Sequence, residues 1–268
     1  AGDAAGATGE MEAQRQRMEM AEHLQRHPPR DPRHDPREYD LAHFGEQGHA
    51  DPRRTVGEAI IEGPLNYGTP RAEALERARK LMALVRMDAQ ALERYPHQFS
   101  GGMRQRVMIA MALACEPRLI IADEPTTALD VTVQAQILDL LKELTRQTKS
   151  ALILITHDLG VVARYADRVA VMYGGRIVET APARQLYKTP RHPYTRGLMA
   201  SVPRLDGDTN QRLVPIDGQP PDLSRLPPGC AFAPRCRSAI SRCLTEQPPL
   251  EAAADNHFKA CFVDAPAR

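Results

Sequence analysis

The sequence predicts an α/β fold in which helices pack against a parallel sheet. Residues 119–124 (LIIADE) form a short apolar run that ends in two acids, and residues 151–156 (ALILIT) form a second short run. Continuous apolar runs of this length are typical of strands buried in a parallel sheet. Residues 131–148 between them repeat apolar side chains at helical spacing, and alternating strands and helices indicate a layered α/β domain.

Helices are predicted before the first strand. A helix begins near residues 55–61, and residues 70–87 predict an amphipathic helix. The apolar side of this second helix consists of Ala74, Ala78, Leu81, Leu84 and Val85. A further helix leads to Tyr95, so these segments together predict a small helical subdomain.

A helix start that can bind phosphate is predicted at Ser100. Its hydroxyl is suited to cap the helix that follows, and Gly101 and Gly102 leave the first backbone amides uncovered. Bare amides at the positive end of a helix dipole attract a phosphate group. A turn with a structural cap is the simpler interpretation of such a segment taken alone.

Two acids end the first predicted strand. Because Asp123 and Glu124 follow the apolar run directly, they are expected at the carboxyl edge of the sheet. One acid there can hold Mg²⁺, and the next can orient or deprotonate an attacking water. A solvated loop is the alternative for this pair taken alone.

The predicted alternation continues after the second acid. The helix at residues 131–148 has an apolar stripe made of Val133, Ile137, Leu140, Leu141 and Leu144. The strand at residues 151–156 is predicted to be buried on both faces, and it ends at His157.

A hairpin and a helix close this part of the chain. Residues 168–173 and 176–179 predict two strands around the turn at Gly174 and Gly175. Residues 181–188 predict a helix.

Composition excludes several classes of protein. The net charge is +1, tryptophan is absent and aromatic residues make up 4% of the chain, so a nucleic-acid partner is not expected. No apolar run approaches the ~18–20 residues that span a bilayer, and no signal peptide is visible. We therefore expect a cytosolic protein that meets a membrane only through partners.

The cysteines are unevenly distributed. Cys115 is isolated in the helix after Ser100 and is expected to be a small buried apolar residue. The other four crowd the end of the chain, at Cys230, Cys236, Cys243 and Cys261. In a cytosolic chain such a cluster favours metal binding over disulfides, with an iron–sulfur cluster, zinc and reduced thiols all open.

The segments FSGGMRQRV and LIIADEPTTALD resemble the signature motif, the Walker B strand and the D-loop of ABC-transporter ATPases. Met103 stands where the signature usually ends in Gln, a variant common in the oligopeptide/dipeptide importer branch. The resemblance implies a P-loop NTPase-like domain that works in head-to-tail pairs. In such pairs one chain's signature closes on ATP held by its partner.

The resemblance also implies a role for each matching residue. The partner's γ-phosphate is expected to bind Ser100, Gly101 and Gly102, with Gln105 in support. The hydrolytic roles are Mg²⁺ binding by Asp123, the general base Glu124, the switch histidine His157 and communication across the dimer by Asp130.

The last part of the chain resembles the C-terminal extension of peptide importers. From residue 189 the sequence is rich in proline, and the segments HPYTRGLMASVPRL and GCAFAPRCRSAISRC carry the likeness. Members of this branch carry a 4Fe–4S cluster in the region. The resemblance therefore favours such a cluster on the four clustered cysteines, with zinc as the alternative.

The beginning of the chain departs from the family pattern. A Walker A loop, G-x-x-x-x-G-K followed by Ser or Thr, is expected there, yet the sequence contains no Gly-Lys pair. Three regions are predicted: an atypical, disordered segment at residues 1–50, the incomplete ATPase domain at 51–188 and the extension at 189–268. A fragment or a truncated gene is the favoured explanation, with a non-hydrolysing partner subunit as the third.

The predicted function is the ATP-binding and ATP-hydrolysing subunit of an oligopeptide/dipeptide ABC importer, at the cytoplasmic face of the membrane. Expected partners are a second ATPase subunit, two transmembrane permease subunits and, indirectly, an extracytoplasmic peptide-binding protein. The alternatives are a non-hydrolysing, metal-stabilised partner subunit and a soluble ABC ATPase without a transport role. The chain alone is expected to be inactive.

Overall fold

A cluster of helices precedes the first strand in the computed structural model, which describes residues 51–201 and 215–263. The three α-helices of this cluster are α1 (Val56–Asn66), α2 (Arg71–Leu84) and α3 (Gly101–Leu113). Short 3₁₀ turns at Ala89–Glu93 and Pro96–Gln98 connect α2 to α3. The predicted disorder of residues 1–50 lies outside the described residues.

Local chemistry fixes the boundaries of α1 and α2. The Thr55 hydroxyl accepts from the Glu58 N–H at 3.3 Å while Glu58 accepts from the Thr55 N–H at 2.9 Å, a capping box that starts α1. Arg86 has a φ of 60°, so the predicted helix at residues 70–87 ends early. Its apolar side was overestimated, because Leu84 is 42% exposed. The predicted helix before Tyr95 is only the turn at Ala89–Glu93.

The first sheet is the predicted parallel pair. Strand β1 (Leu119–Asp123) pairs with β2 (Ala151–Ile155) in a register that sets Asp123 beside Ile155. The prediction that β2 is buried on both faces is wrong. Its residues are half-buried and Ile155 is 47% exposed, because within the described ranges β2 has only β1 as a neighbouring strand.

Helix α4 (Val131–Thr148) connects the two parallel strands and has the predicted bounds. It buries Ile137, Leu140, Leu141 and Leu144 in the same core as the earlier helices, and Leu138 is buried as well. Val133 of the predicted stripe is only half-buried. The helix ends at Lys149, whose φ of 56° is a left-handed cap.

A second sheet has four antiparallel strands in the order β3-β4-β6-β5. Strands β3 (Arg168–Tyr173) and β4 (Arg176–Pro182) form the predicted hairpin, although β4 runs three residues longer than expected. Strands β5 (Glu251–Ala254) and β6 (His257–Lys259) come from the end of the chain and were not predicted. The region after residue 189 therefore contributes strands to the sheet that begins at residue 168.

Four short helices complete the described chain. They are α5 (Leu159–Tyr165), α6 (Ala183–Lys188), α7 (Pro193–Ala200) and α8 (Ser241–Thr245). Within the described ranges, no helix combines the length and the apolar character needed to cross a bilayer.

A buried carboxylate ties these elements together. Glu179 on β4 is fully buried and accepts from the backbone N–H groups of Arg191 at 2.6 Å and His192 at 2.9 Å. The Nε2 atom of His257, on β6, lies 2.6 Å from the same carboxylate. Because a buried carboxylate needs such partners, Glu179 holds the start of α7 and strand β6 against β4.

Candidate functional site

The helix start at Ser100 has the predicted cap. The Ser100 hydroxyl accepts from the Met103 N–H at 3.4 Å, and α3 begins at Gly101. Gly101 is exposed and Gly102 is half-buried, as is Gln105 one turn further on. The start of α3 is therefore at least partly exposed, and the binding of an anion there stays a prediction.

Packing gives these glycines a second reason to be small. A Cβ atom on Gly102 would lie 2.6 Å from the Cγ1 atom of Val133 in the first turn of α4. A Cβ atom on Gly101 would lie 3.2 Å from the Leu129 side chain. The starts of α3 and α4 consequently touch at a point where a side chain would intrude.

The two acids stand where β1 ends. Asp123 is the last residue of the strand and is exposed. Glu124 turns the chain with a φ of 47°, and its N–H donates to the carbonyl of Ile155 at 2.9 Å. A positive φ is uncommon for residues other than glycine, so this turn is held by its surroundings.

Glu124 and His157 meet at the shared carboxyl edge of β1 and β2. The Oε1 atom of Glu124 lies 2.6 Å from Nδ1 of His157 and accepts from the His157 backbone N–H at 3.1 Å. The Thr127 hydroxyl donates to Oε2 at 3.3 Å. The His157 side chain is 86% exposed, so the imidazole remains open to a ligand while its partner carboxylate is held.

Asp130 begins the next helix. Its Oδ1 atom accepts from the Val133 N–H at 2.9 Å and caps α4. Ala128, two residues earlier, has a φ of 62°, which is strained for alanine. The predicted role of Asp130 in communication between subunits stays a prediction.

The structure brings the predicted site residues together in three groups. Asp123, Glu124 and His157 share the edge of the parallel sheet. The helix start at residues 100–102 lies against the segment that Asp130 caps. The clustered cysteines form a separate group beside the second sheet.

The clustered thiols interact with one another. Burial and the charge of other thiols raise the pKa values of Cys230, Cys236 and Cys261. Each of these three sulfurs also accepts a hydrogen bond from the backbone of the residue two positions later. The Cys230 N–H donates to the Cys243 carbonyl at 2.8 Å, so all four come from one compact region.

The same region gives the predicted metal site no direct support. Within residues 51–201 and 215–263, no group of three or more His, Cys, Asp or Glu side chains is arranged to hold a metal ion. The iron–sulfur cluster and the zinc alternative therefore stay predictions. Cys115 is half-buried and follows the end of α3 at Leu113, whereas a buried residue within that helix was expected.

Some residues at the site were not predicted. Thr127 lies in the stretch already singled out, and a hydroxyl three residues after an acid is a signal that could have found it. Asp158 and Gln134 approach each other across 24 residues of sequence, with Nε2 of Gln134 3.4 Å from the Asp158 carboxylate. Contacts between residues so far apart in sequence can be identified only from the folded structure.

Two family models match the chain. The model described as "ABC transporter" matches residues 7–127, a stretch that includes Ser100, Asp123 and Glu124. The model described as "Oligopeptide/dipeptide transporter, C-terminal region" matches residues 178–243, which include Glu179 and three of the clustered cysteines.

Curated relatives carry similar sequences. The "Oligopeptide transport ATP-binding protein OppD" of Salmonella typhimurium is 53% identical over 215 residues, which cover 79% of this chain and 64% of that protein. The "Dipeptide transport ATP-binding protein DppD" of Bacillus subtilis is 50% identical over 216 residues, which cover 80% of this chain and 64% of that protein. The chain thus spans less than two thirds of the length of either relative.

One solved structure is also similar in part. The cbiO1 protein from Clostridium perfringens, described as part of the ABC transporter complex cbiONQ, is 29% identical, with a TM-score of 0.46. The likeness covers 50% of this chain and 53% of that one.

Proposed function

The chain belongs to the ABC transporter ATPases and carries the C-terminal region of the oligopeptide/dipeptide transporters, and from that premise we propose that it powers peptide import by ATP hydrolysis. The names of its relatives, oligopeptide and dipeptide transport ATP-binding proteins, support this class of substrate. The contact between Glu124 and His157 is the single observation that supports hydrolysis most strongly.

Glu124 is the proposed general base. Its carboxylate stands at the end of β1 with one oxygen on His157 and the other on Thr127. A carboxylate fixed in this way can take a proton from a water that attacks the γ-phosphate. His157 is exposed beside it and can donate to the phosphate, which makes it the proposed switch.

Asp123 is the proposed ligand of Mg²⁺. It precedes the base by one residue and is exposed at the same edge of the sheet. The ion would neutralise the charge on the phosphates. A carboxylate oxygen is the donor that Mg²⁺ prefers, so this residue type suits the position.

The helix start at residues 100–102 is the proposed trans element. Its accessible amides and the positive end of the α3 dipole suit the γ-phosphate of a nucleotide held by a second ATPase subunit. Gln105 supports the same helix start. In this arrangement the chain contributes its signature to the nucleotide that the second subunit holds.

The partners follow from this arrangement. A second ATPase subunit supplies the facing surface, and two permease subunits at the cytoplasmic face of the membrane receive the motion through the helical subdomain. A peptide-binding protein outside the membrane is the indirect partner. Reconstitution of the chain with these subunits, followed by measurement of peptide-stimulated ATP hydrolysis and peptide uptake, tests the proposal, and absence of both in the complete assembly contradicts it.

The clustered thiols are the proposed ligands of a 4Fe–4S cluster. The raised pKa values of Cys230, Cys236 and Cys261 favour the protonated thiol unless a cation replaces the proton, and N–H donors to these three sulfurs suit a bound thiolate. Cys230, Cys236, Cys243 and Cys261 would hold the cluster as thiolates. Iron, sulfide and zinc analysis of the purified chain separates the cluster, zinc and bare thiols.

A second function can be tested beside the first. The alternative is a subunit that contributes its signature to the partner without hydrolysing ATP in its own site. Such a subunit would not depend on Glu124. Loss of turnover in the Glu124→Gln variant therefore separates the two functions.

A further inference from the structure

We propose that the first turn of α4 connects the phosphate-binding helix start of this chain to the turn that carries its own His157. Val133 makes the first contact of this connection and Gln134 makes the second. The inference rests on the proposed function, because only that function gives both ends a nucleotide. It adds two positioning residues that the sequence did not indicate.

The first contact joins α3 to α4. Val133 packs so closely on Gly102 that an added Cβ atom would lie 2.6 Å from its Cγ1 atom. The Val133 N–H also donates to Asp130 at 2.9 Å, which fixes the first turn of α4 to the loop before it. A shift of the helix start on binding phosphate is therefore transmitted to α4, because close-packed groups cannot yield independently.

The second contact joins α4 to the turn after β2. Gln134 follows Val133 directly, and its Nε2 atom lies 3.4 Å from Oδ2 of Asp158. The other oxygen of Asp158 accepts from the N–H groups of Gly160 at 2.8 Å and Val161 at 3.1 Å. The two carboxylate oxygens therefore have different roles, because one caps α5 and the other reaches α4.

The third link leads to the proposed catalytic pair. Asp158 is the residue after His157, whose backbone N–H and ring both contact Glu124. A second bond between the same two helices, from the Tyr165 hydroxyl to Asp139 at 2.9 Å, holds α5 beside α4 further along. Movement of the first turn of α4 consequently displaces the Asp158 turn and not the whole of α5.

This connection has a consequence for the dimer. The helix start at residues 100–102 binds the nucleotide that the partner holds, whereas Glu124 and His157 act in the opposite site. A contact path between them lets the occupancy of one site set the geometry of the other. The two sites should therefore show energetic coupling.

Hydrogen exchange tests the second contact without any ATP hydrolysis. The variant Gln134→Leu keeps the side-chain size and removes the amide, so the amides of residues 156–161 should exchange about fivefold faster in the full chain. The matched control is Gln147→Leu, which removes an exposed amide from the same helix, where it donates to Glu143 at 3.1 Å. Equal exchange in Gln134→Leu and the wild type overturns the inference.

A reciprocal exchange of the two partners tests it in the assembled importer. Gln134→Glu places two carboxylates together, while adding Asp158→Asn restores a donor and an acceptor and keeps a good cap for α5. We expect Gln134→Glu to lower kcat about fivefold or more with the KM for ATP unchanged, and the double variant to recover most of it. Failure of the rescue overturns the inference, whereas a wild-type assembly without ATPase activity contradicts the proposed function and leaves the exchange measurement to decide.

Discussion

The Nδ1 atom of His157 lies 2.6 Å from Oε1 of Glu124, and the backbone N–H of His157 donates to the same oxygen at 3.1 Å. Parallel pairing of β1 and β2 brings this contact about, because it sets the carboxyl ends of both strands at one edge. Glu124 and His157 are 33 residues apart in sequence. Their contact joins the two strand ends into one group of side chains.

Removal of the proposed base should abolish turnover. Glu124→Gln keeps the size of the side chain and an acceptor for the His157 N–H, but it cannot take a proton. We expect ATP hydrolysis by the assembled importer to fall about 10²–10⁴-fold while nucleotide binding persists. Steady-state ATPase assays and equilibrium nucleotide binding measure the two effects.

The matched control for this variant is Glu143→Gln. Glu143 is an exposed carboxylate on α4 that pairs with Arg86 at 2.7 Å, and it lies about three turns along the helix from its start at Val131. Exposed pairs contribute little to stability, so near-normal turnover is expected. Equal activity of Glu124→Gln and Glu143→Gln would exclude Glu124 as the base.

Because Gly102 and Val133 lie so close together, a smaller residue at position 133 should compensate for a larger one at position 102. An alanine in a helix is ordinarily favoured over glycine, yet the 2.6 Å approach means that Gly102→Ala forces a shift. We expect Gly102→Ala to lower the free energy of unfolding by about 1–2 kcal/mol, and the cost to vanish in the Val133→Ala background. Urea unfolding of the four proteins gives the coupling, and additive effects would show that the two residues do not contact.

Much of the candidate site could be predicted from sequence, because local patterns encode it. The cap at Ser100, the strand that ends at Asp123 and the helix at residues 131–148 all depend on neighbours in the chain. The exposure of β2 could not be predicted, since an apolar run does not specify how many strands flank it.

The region after residue 189 was harder to predict for a related reason. Strand β6 has only three residues and depends on pairing with β4 and β5. Such a short segment has no sequence pattern that predicts a strand. The buried contact of Glu179 with His257 joins residues 78 positions apart. From sequence alone, a glutamate in a strand is expected to be exposed, because the hydrogen-bond donors that allow its burial come from distant parts of the chain.

The proposed iron–sulfur cluster on the four clustered cysteines can be measured directly. We expect the purified chain, isolated without oxygen, to contain iron and sulfide, and we expect Cys243→Ser to lose both along with the visible absorbance. Cys115→Ser is the matched control, because Cys115 lies outside the cluster in the helical core region. Zinc in place of iron would support the alternative, and metal-free protein with four reactive thiols would exclude both.

Burial of His192 predicts acid sensitivity. Its pKa falls to about 4 from the ordinary 6.5, mainly through burial and partly through Lys259, while Glu179 opposes the shift. Between these values the unfolded chain binds a proton that the folded chain does not. The contribution of neutral His192 to stability is therefore complete above pH 6.5 and is lost as the pH falls toward 4. Between pH 7 and pH 5, protonation of His192 in the unfolded chain should lower the free energy of unfolding by about 2 kcal/mol.

The variant His192→Asn isolates that effect. Asparagine can still accept from the Tyr194 N–H, which His192 receives at 3.1 Å, but it does not titrate. Urea unfolding of both proteins at pH 7 and pH 5 should show a larger loss for the wild type than for the variant. Parallel pH dependence of the two proteins would mean that His192 does not contribute.

The central claim is that this chain supplies the helix start at residues 100–102 to a nucleotide held by a second subunit. The most direct measurement compares ATP turnover by the chain alone, by the assembled importer and by an assembly in which this chain carries Gly101→Asp. A carboxylate at that helix start repels the γ-phosphate. We expect negligible turnover by the chain alone, turnover by the assembly and at least about 10²-fold loss in the Gly101→Asp assembly. Rapid hydrolysis by the isolated chain, or full activity of the Gly101→Asp assembly, would contradict the claim.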